Sequence, residues 1–171
     1  MTKNPFETNY IESQVDGRTT LSPILNALTI LTLIGSLLGM IFSVSSYFTS
    51  QKNYESLRDA VESGQLDDAP SWMRSLISQD MVDNAQKLFE NRLPIAVIGF
   101  LGSLLCLYGA LEMRKLKSQG YTIWMLGEVL PVFAMLFLIG FNAFTGFNIL
   151  NVIIPGIFIF LYTTRRSELI N

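Results

Sequence analysis

Glu128 is the only charged residue in the stretch 121–141. An acid inside so apolar a run has a short menu of uses: it takes up or releases a proton, binds a cation, or accepts hydrogen bonds between helices. Placing a carboxyl below the lipid headgroups costs on the order of 1–3 kcal/mol even on gentle insertion scales, so neighbouring groups must offset that cost. Counting along the other apolar runs for residues at similar depth gives Asn26, Thr29, Tyr108, Phe158 and Tyr162. Asn26, Thr29, Tyr108 or Tyr162 would hydrogen-bond the carboxyl, and Arg114 or Arg165 would reach inward from the interface. Pro131 and Pro155 fall at about one depth on successive runs, where each frees a carbonyl from helical bonding and together they favour a kinked, polar pocket. Asn151 is placed to bond a carbonyl freed near Pro155. Two readings of this set stay open: polar glue between helices, or a proton- or cation-binding acid.

Other chemistry is sparse. The chain has no histidine and one cysteine, Cys106, which sits inside an apolar run. No intrachain disulfide can form, and haem ligation by histidine, the usual zinc sites and Ser-His or Cys-His nucleophiles are excluded. Cys106 among Leu and Gly reads as a small packing residue. No metal site and no cofactor signature emerges. A net charge of −2 without a basic, aromatic-rich patch gives no footprint for nucleic acid.

The elements that must position these residues follow from composition. Half of the 171 residues are apolar and 15% are charged, and the charges cluster between long uncharged stretches. One small soluble core could not hide that much apolar surface, so the expected solvent is lipid and the expected fold is an all-α integral membrane protein. Four runs are long enough to cross about 30 Å of hydrocarbon at about 1.5 Å per residue: 21–48, 93–113, 121–141 and 147–164. The first exceeds what a bilayer needs and must tilt or protrude. The segment 1–20 is polar, carries Glu7, Glu12 and Asp16, and lacks the basic start of a signal peptide.

Lys and Arg beside short loops set the orientation. Arg114, Lys115 and Lys117 crowd the connection 114–120, and Arg165 and Arg166 open the tail 165–171. Both ends are therefore expected in the cytoplasm, with 49–92 and the turn 142–146 outside. The outer loop reads as a short helix over 51–63, a turn begun by Pro70 and running through Ser78, and a helix over 80–90 leading to Pro94. Tyr54, Leu57 and Val61 share one face, and Met81, Ala85 and Leu88 another. These stripes would pack on each other, lie on the membrane or dock a partner. Eight acids against four basic residues before Arg92 argue against anionic lipid heads.

Membrane helices associate through small residues and polar contacts. The first run carries Ser22, Thr29, Ser36 and Ser43 every seven residues, with Thr32, Gly39 and Ser46 beside them. The second carries Ala96, Gly99, Ser103, Cys106 and Ala110. These seams predict an antiparallel pair, helix against helix. The third and fourth runs, joined by a short turn flanked by Asn142 and Asn148, should also pair antiparallel.

The expected function is that of a small non-enzymatic protein with four membrane helices. It would serve as an accessory or scaffold subunit, or as a homo-oligomer, with membrane lipid, other membrane proteins or its own copies as partners. The alternative is a small transporter or channel component using Glu128, which would need oligomers because a lone bundle this rich in Leu, Ile and Phe offers no pore. An intramembrane enzyme lacks paired acids or a nucleophile with its base. The lack of an outer disulfide and the compact loop favour a bacterial inner membrane.

Overall fold

Ser22 and Pro23 open the first helix. The Ser22 Oγ accepts from the Leu25 amide at 3.3 Å, and proline stands at the first helical position, where its missing donor is no loss. The computed structural model describes residues 21–63, 79–144 and 149–169, apart from the side chains at 79, 80, 142 and 151. The expected Pro70 turn, Asn148 and the whole polar N-terminal segment 1–20 lie outside the described residues. The helices are α1 (Pro23–Glu62), α2 (Gln79–Glu90), α3 (Arg92–Arg114), α4 (Ser118–Leu138) and α5 (Leu150–Arg165), with 3-10 turns at Phe141–Phe144 and Arg166–Glu168. No strand occurs among the described residues.

Three of these helices, α1, α3 and α4, are long and apolar enough to cross a membrane. Their outward faces carry large bare side chains: Phe42 is 67% exposed, Phe48 70% and Phe137 90%. Water would not tolerate so much contiguous apolar surface, and lipid does. The chain is an all-helical membrane protein.

The element bounds differ from expectation in two places. Helix α1 runs 40 residues without a break, about 60 Å, and absorbs the separate short helix expected over 51–63. No proline follows Pro23 before Glu62, and polar residues along the way bond their own helix: Thr49 Oγ1 donates to the Ser45 carbonyl at 3.0 Å and Ser50 Oγ to that of Tyr47 at 3.2 Å. Helix α4 starts three residues before the expected Tyr121 and stops at Leu138. The stop is Gly140, whose φ of +94° provides the left-handed residue that closes a helix, with its amide on the Leu136 carbonyl at 3.1 Å.

The C-terminal part of α1 is braced by α2. Tyr54 stacks on Phe89 at 5.9 Å between ring centroids, and the Arg92 guanidinium lies 4.8 Å from the Phe89 ring centre and 5.1 Å from that of Tyr47. The buried stripe of α2 is turned from the one expected. Val82 is 6% exposed while Met81 is 43% exposed, because pairing through Phe89 puts residue 82, two turns earlier, on the inner face.

The tightest contact is the α3–α4 hairpin. Its turn is a Schellman closure in which the Leu116 amide bonds the Met113 carbonyl at 2.9 Å and the Lys117 amide that of Glu112 at 3.2 Å. Leu116 occupies the left-handed position at φ 61°. The Glu112 carboxylate clamps the turn through Lys115 at 2.6 Å and Lys117 at 2.8 Å, and holds the Lys117 ammonium above its ordinary range.

Candidate functional site

Glycines bring the site together. On α3, Gly102 and Gly109 stand seven residues apart, and on α4 Gly120 and Gly127 do the same. A Cβ on Gly109 would meet the Trp124 amide nitrogen at 2.5 Å, and one on Gly127 would meet the Gly102 carbonyl oxygen at 2.6 Å and the Cys106 Sγ at 2.7 Å. The two backbones are in direct contact, which carries Cys106 to α4 and lets its thiol donate to the Trp124 carbonyl at 3.7 Å. The sequence reading missed this seam. Its signal was the seven-residue glycine spacing on two adjacent runs.

The other face of α3 meets α1 in antiparallel register. A Cβ on Gly39 would fall 2.6 Å from the Ser103 Oγ, and one on Gly99 would fall 2.7 Å from the Ser43 Oγ. Both hydroxyls turn back on their own helices, Ser43 to the Gly39 carbonyl at 2.8 Å and Ser103 to that of Gly99 at 2.9 Å. Ser36 donates to the Thr32 carbonyl at 2.7 Å, and Ala110 is fully buried. The seam residues Ser36, Gly39, Ser43, Gly99, Ser103, Cys106 and Ala110 thus lie in or beside the α1–α3–α4 packing.

Helix α5 is held mainly near its C-terminal end. The Tyr162 ring packs on Trp124 at 4.4 Å between centroids, its hydroxyl pairs with Thr32 Oγ1 at 2.8 Å, and Tyr121 pairs with Thr163 at 2.8 Å. This antiparallel approach is less extensive than the α3–α4 contact. Farther along, α5 borders a cavity of about 270 Å³ in which Glu128, Pro131 and Pro155 meet. Thr32, Ser36 and Ser103 contribute hydroxyls to its wall, and Leu31, Ile154 and Phe158 contribute apolar surface.

The half-buried Glu128 carboxyl lies near the Cys106 thiol and the Trp124 indole. The indole Nε1 is buried and has no partner at hydrogen-bonding geometry among the described residues. Most of the partners proposed from depth are elsewhere. Asn26 Oδ1 and Thr29 Oγ1 accept from Arg114 at 2.9 and 3.3 Å, and Arg165 pairs with Glu168 at 3.3 Å. Tyr108 is 54% exposed and faces away, because two residues beyond Cys106 is more than half a helical turn. Tyr162 lies near the carboxyl but gives its hydroxyl to Thr32. Depth contributes: α4 starts at Ser118, so Glu128 stands ten residues in, about 15 Å, and shares a cavity with Cys106 and Ser36, whereas Asn26 and Thr29 lie about two to three turns nearer the end of α1. The Asn151 side chain lies outside the described residues.

Among the described residues no group of histidine, cysteine and acidic side chains could hold a metal ion. The chain matches no family model, no curated protein and no solved structure.

Proposed function

We propose that the chain is a non-enzymatic four-span protein of a bacterial inner membrane, an accessory or scaffold subunit of a membrane assembly or a homo-oligomer. Its supporting observation is α1, which continues as one helix far past the length lipid requires and is stiffened there by the Tyr54–Phe89 stack and Arg92. A braced arm leading straight out of a membrane helix suits holding a partner at a fixed distance from the bilayer. The fourth span is 147–164, most of it in α5. Both ends lie in the cytoplasm on this reading, which rests on Arg114, Lys115 and Lys117 at the α3–α4 turn and Arg165 and Arg166 after α5. The Tyr121–Thr163 pair sets these two basic clusters at one end of the bundle.

Purification in native-lipid nanodiscs should yield a stoichiometric partner or a defined oligomer, with photo-crosslinkers at the exposed Glu55 and Asp59 capturing it. A lone monomer would sink the proposal. Single cysteines at Ser63 and Gln119, in a Cys106→Ala background, should label from outside and inside respectively.

A second reading is favoured by the cavity. Glu128 in a pocket between two proline-bearing helices fits a small transporter or channel component acting in an oligomer. Glu128→Gln should then insert normally and abolish cation- or proton-dependent flux in proteoliposomes. Unchanged flux removes this reading.

A further inference from the structure

The chemistry of the cavity wall selects its ligand. Three of its hydroxyl and thiol protons have partners already: Ser36 and Ser103 donate to their own helices and Cys106 donates to the Trp124 carbonyl, while Thr32 and Tyr162 share a hydrogen bond in which either hydroxyl can donate. What these side chains offer inward is lone pairs. Pro131 and Pro155 each remove an amide donor from a bordering helix and add none. An ionised Glu128 would supply negative charge, and no Lys or Arg among the described residues lines the cavity. Basic residues at the ends of the bordering helices are committed to other partners: Arg114 to Asn26 and Thr29, Lys115 and Lys117 to Glu112, and Arg165 to Glu168. Such a wall repels anions and, with Glu128 ionised, offers a cation one full counter-charge.

Size and polarity narrow the choice. A bare alkali cation needs six or so oxygens close around it, whereas this space of about 270 Å³ sets one carboxyl opposite Leu31, Ile154 and Phe158. A wall that combines a carboxyl with an aromatic and aliphatic side chains suits an ammonium carrying apolar groups. Leu31 and Ile154, at the rim, are 54% and 51% exposed, so the mouth opens towards lipid, where such amphiphiles partition. We propose that the Glu128 cavity between α1, α3, α4 and α5 binds a lipophilic organic cation of the substituted-ammonium class, entering from the bilayer. This rests on the transport reading of Glu128 and names its substrate class.

The test is equilibrium binding of benzyltrimethylammonium to the full chain in zwitterionic nanodiscs, with neopentylbenzene as the uncharged isostere. Binding above empty discs is expected, with at least a tenfold loss in Glu128→Gln and partial retention in Glu128→Asp, while the isostere does not distinguish the three. Equal affinity of the wild type and Glu128→Gln for the cation overturns the proposal, as does no binding above empty discs. Should Glu128→Gln fail to insert, carbodiimide labelling of Glu128 in the wild type, read by intact mass, decides: protection by the cation supports the site, and no protection rejects it. Flux of an inorganic cation without benzyltrimethylammonium binding would reject this inference and keep the transport reading. Binding without flux would do the reverse.

Discussion

Gly109 of α3 and Gly120 of α4 touch through their backbones: a Cβ on the first would lie 2.7 Å from the carbonyl oxygen of the second, and a Cβ on the second would lie 2.7 Å from that of the first. Neither obstruction is a flexible side chain that could swing aside. Gly109→Ala or Gly120→Ala should therefore push the helices apart and lower stability by about 1–3 kcal/mol, as overpacked sites do. Gly35, with nothing within 4 Å of its would-be Cβ, is the control. Gly35→Ala should be neutral or gain about 0.5–1 kcal/mol from helix propensity. Unfolding by SDS in mixed micelles measures all three, and equal effects would refute the backbone contact.

The α1–α3 seam allows a compensation experiment. A new Cβ at Gly39 would collide with the Ser103 Oγ at 2.6 Å but would stand an ordinary 3.5 Å from the Ser103 Cβ. Ser103→Ala alone should be nearly silent, since that hydroxyl bonds only its own helix. Gly39→Ala alone should cost about 1–2 kcal/mol, and the double variant should recover most of that. Simple additivity in the cycle would show that the two residues do not meet.

These two seams separate what residue types can disclose from what they cannot. Small residues repeated along an apolar helix have one common physical use, close packing, so Gly39, Ser43, Gly99 and Ser103 pointed to each other from spacing alone. Pro131 and Pro155 could be set at one depth by counting from a short turn. The partners of Glu128 could not be found in this way. Depth depended in part on where α4 begins, since a start three residues earlier carries Glu128 about 4.5 Å further in, away from Asn26 and Thr29 and towards Ser36. Direction around the helix axis mattered equally, since Tyr108 is near in sequence to Cys106 and faces the opposite side. The length of α1 was hidden because Gln51 to Ser63 is as polar as a loop yet holds no residue that breaks a helix.

Leu116 carries the α3–α4 turn in a left-handed conformation that costs a side-chain-bearing residue about 1–2 kcal/mol. Leu116→Gly relieves that strain and loses a half-buried side chain, so it should fall within about 1 kcal/mol of wild type. Leu116→Pro cannot reach φ 61° and deletes the amide bonded to Met113, so it should cost about 3 kcal/mol or more. Glu112→Gln should loosen the same turn at neutral pH by releasing Lys115 and Lys117. The Lys117 contribution has the sign of a raised pKa: it is full below the ordinary lysine range and fades only as pH climbs through the raised value. Protease sensitivity at the turn, at neutral pH, ranks the three variants.

Tyr162 fastens α5 to the other helices through two separable interactions. Its hydroxyl reaches Thr32 at 2.8 Å and its ring packs on Trp124, with the residue only 1% exposed. Tyr162→Phe keeps the ring and should cost about 0.5–1.5 kcal/mol, the worth of one buried hydrogen bond. Tyr162→Ala loses both and should cost about 3–5 kcal/mol. Because α1, α3 and α4 pack through glycine and serine seams that do not include α5, this loss should fall on α5 docking and leave the three-helix packing in place. Spin labels at Leu126 and Leu161, in a Cys106→Ala background, should then show a narrow distance distribution in the parent and in Tyr162→Phe, and a broad one in Tyr162→Ala. If Tyr162→Ala instead unfolds the α3–α4 hairpin, α5 is an integral part of the bundle, and the cavity beside Glu128 cannot widen by movement of that helix.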